Sequence, residues 1–164
     1  MKSTDKFLIW LVVGVLALVG IALAVLLTLP DPVYLPEDDP VGVVNNYILA
    51  IHQEDFDRAY SYLDPSLPGY PQDVLDFQDD LQEFGVTLGE DSSITLGDVS
   101  VVGDHAQVQV HNEQLGEQDL FLLGRAGFYD WNFTVDLVST ADGWKITDAW
   151  RYFAFCWASE EGCK

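Results

Sequence analysis

Between Phe7 and Leu29 the chain runs for 23 residues, FLIWLVVGVLALVGIALAVLLTL, with no charged side chain and no polar one beyond Thr28. A segment of this kind has few places to go in water. As a helix rising about 1.5 Å per residue it extends about 34 Å, enough to cross a hydrocarbon layer of roughly 30 Å. Lys2 and Lys6 lie before it and a strongly acidic stretch after it. The positive-inside bias therefore predicts a cytoplasmic amino terminus and an external domain. The expected organisation is a cytoplasmic stretch over 1–6, a transmembrane signal anchor over 7–29, a spacer over 30–40 and an extracytoplasmic domain over 41–164. A cleaved signal peptide is the rival, because ALA at 22–24 is an acceptable cleavage tripeptide. Signal apolar regions usually span about 7–15 residues, however, and this one continues past Ala24. A buried helix of a soluble protein is the remaining alternative. No Cys stands at the end of the run, which excludes a lipoprotein anchor.

Charge narrows the partners. The chain carries 27 acidic and 7 basic residues, a net charge of −20. With Asp5, Lys2 and Lys6 set aside, the part after the apolar run holds 26 acidic and 5 basic side chains. Such a surface repels phosphate backbones and anionic headgroups, so nucleic acid is not an expected partner. The simplest reading of the charge is solubility or a salty habitat; attraction of cationic ligands or loosely held divalent ions is the other. The two cysteines, Cys156 and Cys163, close the chain in CWASEEGC. Outside the membrane such a pair reads as a structural disulfide. Neither a C-x-x-C spacing nor a neighbouring His supports a redox or metal role.

The stretch PDPVYLPEDDP, 30–40, holds four prolines and four acidic residues and reads as an extended spacer. Asp39 followed by Pro40 then marks a helix start. Val43, Val44, Tyr47, Ile48 and Ile51 recur at helical spacing, as do Phe56, Ala59, Tyr60 and Leu63, and Val74, Phe77, Leu81 and Phe84. Three helices are expected, the last ending at Gly85. Beyond it the period becomes two: SITLGDVSVVGDHAQVQVHNE predicts strands about a turn at Gly103-Asp104. DLFLL is a further candidate strand. WNFTVDLVS sets Trp131, Phe133, Val135 and Leu137 on one face, and TADG turns into the closing stretch GWKITDAWRYFAFCW. The fold class is α+β, with three helices packed on a curved antiparallel sheet and a single transmembrane helix before them.

VVNNYILAIHQEDFDRAYSYLDP at 43–65 and FTVDLVSTADGWKITDAW at 133–150 resemble the opening helix pair and closing hairpin of the nuclear-transport-factor-2-like superfamily, a cone-shaped α+β domain. The resemblance covers roughly 40–157. It implies a pocket between helices and concave sheet, lined here by Tyr47, Phe56, Tyr60, Trp131, Trp144 and Asp148, and pairing of two copies through the sheet's other face. Members include ketosteroid isomerases, scytalone dehydratase and polyketide cyclases of the SnoaL type, together with many non-catalytic modules. Membrane-anchored external versions look most like the latter. Fold alone does not decide activity.

An enzyme of this kind needs a general acid or base inside the cup. His105 and His111 share a strand face with Gln107 and Gln109, whereas Ala106, Val108 and Val110 take the other, so both histidines are expected outside. They also stand about 20 Å apart along the strand, too far to share a metal. His52 closes the first helix off its apolar stripe. Asp148 is placed by simple alternation with Trp144, Ile146 and Trp150, an apolar face on which a carboxylate needs a partner or a proton. After it the alternation slips to Ala149, Arg151, Phe153, Phe155 and Trp157, which implies a bulge or a sheet covered on both faces. His52 and Asp148 are thus the weak catalytic candidates. No nucleophile elbow, phosphate loop, metal or cofactor motif is present. NFT at 132–134 matches a glycosylation acceptor but falls in an expected strand. The function expected is a membrane-anchored, external, non-catalytic module that binds a small apolar ligand or an envelope protein. The alternatives are an assembly subunit of an envelope complex and an isomerase, dehydratase or cyclase using the pocket.

Overall fold

The computed structural model describes residues 3–28, 33–85, 92–115 and 128–163. They fall into two units, one ending at Val33 and one beginning at Tyr34. The first is a helix, α1, Ser3–Thr28. Its residues 9–24, whose side chains are described, are exposed throughout. Among the residues so described, no helix is long and apolar enough to cross a membrane.

The second unit has the α+β order read from the sequence: α2 Pro40–His52, α3 Phe56–Ser61, α4 Val74–Phe84, then β1 Ser92–Val102, β2 His105–Leu115, β3 Phe128–Thr140 and β4 Gly143–Ala149. Each helix starts on an aspartate whose carboxylate takes up otherwise orphaned N–H groups. Asp39 accepts from Gly42 N at 2.7 Å, Asp55 from Arg58 N at 3.3 Å, and Asp73 from Leu75 N and Asp76 N at 2.9 and 3.0 Å. The stretch expected as a spacer is fastened to the domain from Tyr34 onward. Asn46, buried on α2, exchanges two hydrogen bonds with the backbone of Leu35, at 2.7 and 2.8 Å. Glu37 accepts from Tyr62 Oη at 2.6 Å and Arg58 Nη2 at 2.8 Å.

The four strands form one antiparallel sheet in the order β1-β2-β3-β4. Its inner face, Ala106, Val108, Val110, Phe133, Val135, Leu137, Ile146 and Ala149, is buried in one core with Val43, Val44, Tyr47 and Ile48 of α2. The valine face of β2 therefore turns inward and the glutamine and histidine face outward, because only the former can bury apolar area without stranding polar groups. DLFLL lies outside the described residues.

The closing stretch departs from simple alternation. Leu137 pairs with Ile146 while Asp136 pairs with Asp148, so Thr147 is an extra residue in β4. This bulge exchanges the faces one residue before Asp148. Asp148 is consequently exposed on the outer face rather than beside Ile146, and Ala149 takes the inner position. The free side of β4 is covered: Asp64 N donates to Ile146 O at 2.9 Å, and Ile146 N donates to Tyr62 O at 2.8 Å. The strand stops at Ala149 instead of running to Trp157. Residues 150–153 bend away, Ala154 bridges Gly85, and Phe155–Ala158 form a 3-10 turn. Trp157 is fully buried, stacked on Phe77 with ring centroids 5.1 Å apart, and its indole N–H donates to Asp80 Oδ2 at 2.8 Å. Cys156 and Cys163 form the expected disulfide, with Cα atoms 5.0 Å apart.

Candidate functional site

The polar groups of the inner side gather around Tyr152, which meets Tyr47 and His52 of α2 and Phe133 of β3. This tyrosine is 1 % exposed and has φ = 59°. A bulky side chain adopts that backbone only when its surroundings insist on it. They do so at both ends of the residue. Tyr47, fully buried on α2, donates its phenol O–H to the Tyr152 carbonyl. Burial holds the Tyr47 phenol far above its ordinary pKa, so it remains a donor. At the other end the Tyr152 hydroxyl lies 2.8 Å from His52 Nε2, with the two rings 5.4 Å apart. The Phe133 ring of β3 packs 6.4 Å from that of Tyr152.

One row further along the inner face stands Asn112. The apolar face of β2 reads Ala106, Val108, Val110, Asn112, and the last member is as inaccessible as the valines. Among the described residues neither its Nδ2 nor its Oδ1 has a hydrogen-bond partner. Its partner across the ladder is Trp131, which is 42 % exposed. The Arg151 guanidinium carbon lies 5.3 Å from the Trp131 ring centroid and 5.0 Å from that of Trp150. Arg151 Nε is buried and likewise unpartnered.

The six residues expected to line one pocket are distributed differently. Tyr47 is a core residue locked to Tyr152. Phe56 and Tyr60 join an aromatic cluster with Phe77 and Tyr70, and the Tyr60 hydroxyl donates to Pro71 O at 2.9 Å. Trp144 is half-buried against the core, and Trp131 sits at the Arg151 corner. Asp148 is on the opposite side of the sheet. It lies in a shallow outer groove of about 420 Å³ with Ser100, Gln107, Asp136 and Thr147. In that groove Gln107 Nε2 donates to Asp136 Oδ1 at 2.7 Å. His111 Nδ1 meets Asn132 Oδ1 at 2.8 Å, also on the outer face, and His105 is exposed beside Asp104. Among the described residues no group of three or more His, Cys, Asp or Glu side chains is placed to hold a metal ion.

Sequence reasoning passed over Asn112 and Tyr152. Asn112 had a legible signal, since it continues the inward parity of three apolar residues. Tyr152 had none, because its role follows from a backbone turn that no side-chain pattern announces.

No family model matches the chain, and no curated protein does. Among solved structures it is similar to an NTF-2-like protein of unknown function from Shewanella oneidensis MR-1, at 13 % identity over 70 % of this chain and 97 % of that one, with a TM-score of 0.45. A candidate dehydratase of the NTF2-like family from Streptomyces avermitilis is similar at 22 % identity, over 65 % and 88 % of the two chains, with a TM-score of 0.41.

Proposed function

We propose that the chain is a membrane-anchored, extracytoplasmic, non-catalytic module whose domain, of the nuclear-transport-factor-2-like kind, binds a small ligand at the inner-face corner between α2 and the sheet. The observation that carries the non-catalytic reading is the separation of His52 from Asp148. The first reaches the Tyr152 hydroxyl at the end of α2, and the second lies exposed on the outer face beyond the bulge at Thr147. Acid–base catalysis needs two titratable groups converging on one reacting centre. Here a layer of sheet stands between them. The membrane anchor rests on the 23-residue apolar run Phe7 to Leu29 and the basic residues before it.

Native mass spectrometry of the full chain, released from mild detergent without denaturation, tests the binding reading. A mass excess of one small molecule supports it, and a bare chain counts against it. Alkaline extraction of membranes and protease accessibility in intact cells test the anchor and its direction. A domain that is protected from external protease would overturn the topology.

A second reading, an assembly subunit of an envelope complex, is supported by β1. It is an edge strand on which Val99 and Val101 of the inner-face parity and Val102 beside them are exposed. Crosslinking from Val101→Cys would trap a neighbouring chain under this reading and nothing under the first.

A further inference from the structure

Resting on the ligand-binding reading above, we propose that the Asn112–Trp131–Arg151 corner recognises a small planar organic carboxylate. Two unpartnered polar groups meet at one indole. Asn112 is wholly buried with both the donor and the acceptor of its amide unused, directly across the ladder from Trp131. Opposite partners on one sheet face have Cβ atoms about 5 Å apart, so the amide and the indole border the same space. Arg151 places its guanidinium over Trp131 and Trp150 and leaves Nε buried and unpaired.

Native structures satisfy nearly all buried polar atoms, and two failures bordering one side chain ask for a common partner. Its chemistry can be read from the groups left over. The Nε edge of a guanidinium is a two-donor fork that matches a carboxylate. The unused amide takes a second polar group, a hydroxyl or carbonyl, and the exposed indole face takes a flat apolar body.

Charge strengthens the assignment. The domain is strongly acidic, and its other described arginine, Arg58, is ion-paired with Glu37 at 2.8 Å. Arg151 forms no ion pair among the described residues, although 26 carboxylates follow the apolar run. A cation with no ion pair among the described residues, in such surroundings, is available to an external anion.

The test is calorimetric titration of the full chain in nanodiscs, with empty nanodiscs subtracted, using 2-naphthoate, naphthalene-2-carboxamide and 2-naphthylmethylamine. The acid is expected to bind at least about tenfold more tightly than the amide, with the amine weakest. Arg151→Gln should remove that preference and leave amide binding in place. Arg151→Lys should restore it only in part, because the ammonium lacks the planar fork. Asn112→Leu should weaken the acid and the amide together. Acid and amide binding equally, or Arg151→Gln leaving the preference intact, would overturn the carboxylate assignment while the ligand-binding reading stands. No binding by any of the three, with a bare chain in the native spectrum, would overturn both.

Discussion

The hydroxyl of Tyr152 lies 2.8 Å from Nε2 of His52, joining the end of α2 to the segment that leaves β4. With Tyr47 holding the Tyr152 carbonyl, the two contacts keep a bulky residue at φ = 59°. They differ in burial, and so in cost when broken. Tyr47→Phe leaves a buried carbonyl without a donor and is expected to cost about 1–3 kcal/mol, whereas Tyr152→Phe removes a bond to the exposed His52 and should cost about 0.5–1.5 kcal/mol. Urea denaturation of the two variants measures both. A larger loss for Tyr152→Phe would mean that His52, not Tyr47, holds the turn.

The disulfide acts on the same end of the chain. It closes a loop with a sequence separation of 7 between Cys156 and Cys163, next to the buried Trp157. In the chain-entropy picture a loop of that size stabilises by about 2.5 kcal/mol. Cys156→Ser with Cys163→Ser should therefore lower stability by about 2–3 kcal/mol and leave the near-ultraviolet signal of the Trp157–Phe77 stack unchanged. A weakened signal would mean that the bond also holds the native stack, beyond its effect on the unfolded chain.

Much of this architecture was legible in the sequence because period reports burial. The valines of β2 and the 133–137 alternation of β3 faced inward as their spacing required, and Asp39 capped the helix it was expected to start. What escaped was decided by single backbone events. One inserted residue, Thr147, moved Asp148 to the outer face, and one positive φ at Tyr152 ended the strand that Phe153, Phe155 and Trp157 were expected to continue. The slip of alternation after Asp148 announced a bulge or a doubly covered sheet but not that the extra residue precedes Asp148, and the positive φ at Tyr152 leaves no periodic trace. The scattering of the six expected lining residues follows from the same limit: spacing tells which face a side chain takes, not which neighbours fill the space in front of it.

Acid should loosen the stretch that fastens the amino-terminal edge of the domain. The Tyr62 hydroxyl bonded to Glu37, helped by the hydrogen bond and charge of Arg58, holds the Glu37 carboxyl below its ordinary pKa despite partial burial. A depressed folded pKa contributes stability that is present above the unfolded value and is lost as pH falls through the folded one. Asp80 works the other way. Burial raises its pKa, against the opposing hydrogen bond from Trp157, so its contribution to stability falls as pH rises through the interval between its unfolded and folded values. Glu37→Gln should flatten the acid limb of the stability–pH curve, and Asp80→Asn should remove the opposing slope. An acid limb unchanged in Glu37→Gln would show that other carboxylates carry it.

The outer face offers a substitution expected to stabilise. Asp136 and Asp148 are directly paired across β3 and β4, and only Asp136 has a hydrogen-bond partner among the contacts described, Gln107. Like charges opposite one another on an antiparallel pair oppose folding, and Thr suits an exposed strand position better than Asp. Asp148→Thr is expected to raise stability by about 0.2–1 kcal/mol, with the gain shrinking as salt screens the repulsion. The same variant discriminates among functions. If Asp148 takes part in no chemistry, binding at the inner corner is unchanged while the midpoint of unfolding rises. A fall in ligand affinity with intact folding would return Asp148 to the site, and would require an outer-face groove to communicate with the core through the bulge at Thr147.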